Sequence, residues 1–104
     1  MLSIWKFELT DISQDKPEEL GRTKVSLPWG AKVLSVGGQG LKVVVWVEVN
    51  PSHRPDENRH FRILGTGWDF EEHPEFKRKF IGTAVTGGGQ YFFHVFEELP
   101  NGNH

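Results

Sequence analysis

Cysteine is absent from the 104 residues, and methionine and tyrosine occur once each. Without a thiol there is no disulfide framework, no thiolate metal site and no cysteine nucleophile. The same absence favours a reducing cytosol. No stretch approaches the roughly 18 consecutive apolar residues of a membrane-crossing helix. The start, MLSIWKFELTD, lacks a basic region followed by a long apolar run, so neither a signal peptide nor a membrane anchor is expected. An excess of positive charge is also missing: 12 Lys and Arg stand against 14 Asp and Glu, a formal net charge of −2. Proteins that coat nucleic acid usually carry a basic surplus, so coating is not expected. A small nucleotide ligand needs only a few local cations and stays open.

What is present is bulky and turn-rich. Hydrophobic residues make up 37% of the chain, with 8 Phe and 4 Trp, so a few large side chains must supply much of the burial. The 12 glycines lie mostly between apolar runs, as turn punctuation. Within those runs apolar residues recur every second position rather than at helical spacing. Strands are expected over Ile4–Leu9, Thr23–Leu27, Ala31–Val36, Leu41–Val49, Arg59–Gly65, Lys79–Thr86 and Tyr91–Glu97. The strongest puts Leu41, Val43, Val45, Val47 and Val49 on a core face. Its other face, Lys42, Val44, Trp46 and Glu48, is half polar and could cover a second sheet, a partner subunit or a ligand. Gly37-Gly38-Gln39-Gly40 reads as a turn, and Trp68 to Arg78 as irregular. A helical turn fits Asp15 to Gly21, with Asp15 as N-cap.

The whole reads as one all-β domain over 1–104, a small antiparallel sandwich or barrel of about seven short strands with at most one or two helical turns. Loops are expected at 10–22 and 50–58, and a flexible tail at 99–104.

Three glycines, Gly87-Gly88-Gly89, sit between the last two apolar runs. A P-loop needs GxxxxGK followed by Ser or Thr, and a dinucleotide fingerprint needs GxGxxG opening a helix; neither is present. The glycines read as a hairpin tip in which they supply positive φ. Gly65-Thr66-Gly67-Trp68 is the more suggestive turn. Its backbone N–H groups could form an anion nest, with Arg59 and Arg62 upstream for charge and Trp68 for stacking. The competing reading is a bulged turn with Trp68 folded back on the core. His94 lies mid-strand between Phe92 and Phe96, and a catalytic base there would need a partner.

No two histidines have local zinc-ligand spacing, and His73 among Glu71, Glu72 and Glu75 reads as a solvated acidic loop rather than a metal site. No cofactor is implied. No GxSxG surrounds any serine. The expectation is therefore a protein that is not an enzyme.

Six segments appear in order: IWKFEL (4–9), LPWGAKVLSV (27–36), VWVEVNP (45–51), FRILGTG (61–67), FIGT (80–83) and GGGQYFFHVFEE (87–98). Together they resemble a family of small proteins of unknown function from phage and prophage genomes. The chain departs from that pattern at 10–22, which looks like an extended loop, and at Trp68-Asp69-Phe70, where the family has a shorter polar turn. The resemblance implies a phage protein acting in the cytoplasm of an infected bacterium. In size and style the chain is also similar to phage counter-defence proteins that sequester the nucleotide signals of Thoeris and CBASS immunity.

The functional expectation is a non-catalytic homo-oligomer that binds a small anionic nucleotide-type signal. Arg59, Arg62, Gly65, Thr66, Gly67, Trp68, Trp29 and His94 are its candidate residues. The alternative is a protein–protein adaptor, a structural phage component or an inhibitor of a host enzyme.

Overall fold

The computed structural model describes residues 1–11, 22–70 and 76–100. The period-two runs form seven strands: β1 (Ser3–Asp11), β2 (Arg22–Leu27), β3 (Lys32–Gln39), β4 (Lys42–Val49), β5 (Glu57–Gly65), β6 (Phe76–Thr86) and β7 (Tyr91–Pro100). A three-stranded sheet has the order β1-β4-β3, and a four-stranded sheet the order β2-β5-β7-β6. Every pairing is antiparallel. Of the all-β sandwich or barrel expected from periodicity, the two separate sheets make the fold a sandwich.

Alternation explains how the two sheets meet. Val43, Val45, Val47 and Val49 project from β4 into the core and are essentially fully buried. Facing them are Phe61 and Ile63 of β5, Phe93 and Val95 of β7, Val25 and Leu27 of β2, and Ala84 of β6. Each buried Val, Ile or Phe contributes roughly 1.5–3 kcal/mol, so this layer supplies the main stabilisation.

Several boundaries differ from the sequence expectation, each for a local reason. β3 runs through Gly37 and Gly38 and turns only at Gly40, where φ is 62°. A Cβ at Gly37 would lie 2.9 Å from the Trp46 ring, and one at Gly38 would collide with the Val85 carbonyl. These glycines allow close approach rather than reversal of the chain. Leu41 consequently sits in the turn and is 47% exposed, outside the core. β6 begins at Phe76 because Phe76 and Lys77 pair with Pro100 and Leu99, which also carries β7 into the expected tail. On the other face of β4, Val44 is fully buried within this chain and Trp46 is half-buried. The expected helical turn at 15–21 lies outside the described residues. No helix of the described residues is long and apolar enough to cross a membrane.

The triple glycine is a tip between β6 and β7, with all three residues at positive φ, 62°, 67° and 95°. Its Gly87 N–H donates to the Gly40 carbonyl at 2.9 Å, tying this hairpin to the β3–β4 hairpin.

Candidate functional site

Strand geometry divides the sequence-predicted residues among three places. Arg59 and Arg62 are three apart on β5, an odd spacing that sends them to opposite faces. Arg59 points inward. Its guanidinium holds both oxygens of Glu97, donates to the Ala31 carbonyl at 2.8 Å and meets Glu57 at 3.1 Å. The hydrogen bonds to Glu97 hold Arg59 above the ordinary arginine value, against the lowering effect of burial. Arg59 is thus engaged in a charge network that fastens β5 to β7 and to the residue before β3.

Trp29 occupies the turn between β2 and β3. It stacks on His53 with ring centroids 3.9 Å apart and planes 4° from parallel. Trp68 lies at the far end of β5. Its backbone N–H donates to the Gly65 carbonyl at 3.0 Å, Gly67 turns with φ of 87°, and the indole folds over Gly65 to meet Phe93 edge-on at 5.7 Å. This is the folded-back geometry, with the indole 37% exposed. Thr66 and His94 do come together: Thr66 Oγ1 is 2.8 Å from His94 Nε2, and Thr83 Oγ1 is 3.1 Å from His94 Nδ1. Two hydroxyls therefore hold the imidazole, rather than a carboxylate.

Thr66, His94 and Arg62 belong to the outer face of the four-stranded sheet, the face turned away from the core. The richest chemistry gathers there. Arg22 of β2 and Arg62 of β5 are direct register partners. Arg78 of β6 and His60 of β5 flank Glu98 of β7. Glu98 is 5% exposed and pairs with Arg22 at 3.2 Å. Burial pushes Arg62 down from its usual value; the charges of Arg22 and Arg78 add to this, and Glu98 opposes it. Three guanidinium groups thus crowd one carboxylate.

Aromatic rings frame them. Phe70 lies 4.8 Å from the Arg78 guanidinium and 5.7 Å from that of Arg62. Arg78 also lies 5.2 Å from the Phe96 ring, which meets Phe80 edge-on at 5.4 Å. Beyond this cluster Phe80, Phe92 and Val85 stand 57%, 49% and 44% exposed.

A family model described as "Domain of unknown function (DUF7352)" matches residues 1–104. The chain belongs to this family. No curated protein and no solved structure matches it.

In this DUF7352 chain a cleft of about 430 Å³ opens among Glu57, Arg59, His60, Phe76, Glu97 and Glu98, and the outer face beside it carries a hollow of about 230 Å³ between Arg22, Lys24, His60, Phe76 and Glu98. The hollow is smaller than the roughly 300–1,000 Å³ of pockets that enclose a small molecule. Another cleft, about 340 Å³, opens between β3 and β6. No group of three or more His, Asp or Glu is placed to hold a metal ion among the described residues. The loop around His73 lies outside them.

Sequence reasoning missed Arg22, Arg78, Phe70 and Glu98. They are up to 76 residues apart, and only the sheet register brings them to one face. The split between Arg59 and Arg62 was available from their odd spacing alone.

Proposed function

We propose that this protein is a non-catalytic binding module that docks an acidic protein surface on the outer face of its four-stranded sheet. The observation that carries this is Phe80, exposed beside the Arg22–Arg62–Arg78 cluster, with Phe92 and Val85 exposed as a pair farther along the same face. Large apolar side chains left exposed on one sheet face favour an interaction site there. Exposed aromatics next to arginine are the composition of interface anchors. Among the described residues Arg22, Lys24, Arg62 and Arg78 share this face with one carboxylate, Glu98, although the whole chain is at −2. An acidic partner is the complementary one. The resemblance to phage proteins supplies a setting, in which the module is an adaptor, a structural component or an inhibitor of a host enzyme in the infected cell.

A second reading keeps the nucleotide-type signal as ligand. The convergence of Arg22, Arg62 and Arg78 beside Phe70 and Phe96 supports it, since guanidinium groups suit phosphate and rings suit a base. The hollow at Arg22 is small, so on this reading a ligand held by the arginines is enclosed by a second subunit of a homo-oligomer.

One purification separates the two. Affinity-purified protein from the native host is measured by size-exclusion chromatography with light scattering, then heated, and released small molecules are identified by mass spectrometry. The protein-docking reading expects one stoichiometric protein partner, lost in the Phe80→Ser/Phe92→Ser variant and at high salt, with no nucleotide released. A released anionic nucleotide from an oligomer supports the second reading. A monomer with neither, or a partner retained by the serine variant, overturns the first.

A further inference from the structure

Two β-bulges lie on the two strands that border the open side of the sandwich. The register of β3 slips between Val33 and Ser35, leaving Leu34 as the extra residue. The register of β6 slips between Phe80 and Gly82, leaving Ile81. Leu34 and Ile81 both line the cleft of about 340 Å³. Bulges bend a strand and raise its twist, and they concentrate at sheet edges and beside sites. Farther along the same two strands the sheets meet closely, at Gly38 against the Val85 carbonyl and through the Gly87–Gly40 hydrogen bond. The two edges therefore touch at one end and stand apart at the other.

We infer that this cleft is a slot for one extended acidic segment of a partner protein, added as a strand along the outer edge of β6. Three features favour that occupant. First, β6 is the last strand of its sheet, and no strand of the described residues pairs with its outer edge. An open edge is a template for another chain. Second, Lys32 and Lys79 line the slot, and Lys77 shares the face of Lys79. Among the described residues none of the three is in an ion pair, while the floor carboxylate, Glu97, is already held by Arg59. Third, Leu34 and Phe80 flank the slot, 43% and 57% exposed, and can grip an apolar side chain.

Acidic and apolar residues in alternation, over about five or six residues, match the length of edge between Phe76 and Ile81. A second copy offering its own β6 would set Lys77 and Lys79 against the same lysines, which is unfavourable across a strand pair. Phe80 borders both this slot and the outer face of the four-stranded sheet; the lysines belong to the slot alone and Phe92 to the outer face alone, so the inference is tested apart from the function proposed there.

The test selects from a displayed library of random peptides of about eight residues against the full chain, then titrates the enriched synthetic peptide into isotope-labelled protein. The expected sequences are rich in Asp and Glu alternating with apolar residues. Amide signals should shift at 32–34 and 77–81, and amide exchange should slow along β6. Lys32→Glu/Lys79→Glu should weaken binding at least about tenfold with an unchanged melting temperature, whereas Phe92→Ser should not. If the glutamate variant is unstable, Lys32→Gln/Lys79→Gln serves, with a smaller loss expected. Failure to enrich any acidic peptide overturns the inference. So do shifts confined to the Arg22 and Arg62 face, equal binding by the lysine variants, or self-association through β6.

Discussion

Thr86 ends β6 with 2% of its surface exposed, and its Oγ1 has no hydrogen-bond partner among the described residues. A buried unsatisfied hydroxyl is a local cost that an isosteric methyl removes. Thr86→Val should therefore raise unfolding stability by about 1 kcal/mol, measured by urea denaturation. The Arg59–Glu97 pair behaves in the opposite way. Glu97 is 5% exposed and Arg59 17%, so Glu97→Ala leaves a largely buried guanidinium without its main counter-charge. A loss of about 3 kcal/mol is expected, and Arg59→Met in the same chain should recover much of it. If the single variant melts like the parent, the pair does not hold β5 to β7.

At the scale of elements, glycine does two different jobs, and two substitutions separate them. Gly88 has φ of 67° and open space where a Cβ would go, so Gly88→Ala meets only backbone strain, about 1–2 kcal/mol. Gly38 has ordinary φ but sits against the Val85 backbone. Gly38→Ala must push the two sheets apart, with a cost of about 1–3 kcal/mol and altered amide signals on both β3 and β6. Equal effects confined to the mutated strand would refute the distinction. The same pair shows what the sequence could and could not convey. The strands were legible because Val43, Val45, Val47 and Val49 fall on one side of a two-residue period whose other side, Lys42, Val44, Trp46 and Glu48, is half polar, and that period follows from the backbone itself. Gly37 and Gly38 were misread as a turn because the Trp46 ring and the Val85 carbonyl that require them lie 9 and 47 residues onward in sequence. Local pattern carries no trace of such a neighbour. The Arg22–Glu98 contact, 76 residues apart, was hidden for the same reason.

For the whole molecule, the apolar surface is divided between a core that stabilises the fold and a row that does not. Phe80 and Phe92 are about half exposed on the outer face. Phe80→Ser/Phe92→Ser should shift stability by less than about 1 kcal/mol, the scale of surface substitutions. Under the docking proposal the same variant should lose association with the acidic partner, read by light scattering of the complex. A large fall in melting temperature would instead assign the row to folding. The hydrogen bond from Gly87 to Gly40 has a mechanical consequence for this arrangement. It fastens the tips of two hairpins from different sheets at the end where the sheets already touch. Any widening of the slot at Lys32 and Lys79 must then swing about that end. The two tips act as a pivot, and the bulged stretches of β3 and β6 as its free arms. Amide exchange at Gly87 should accordingly stay slow while the far ends of the two strands breathe.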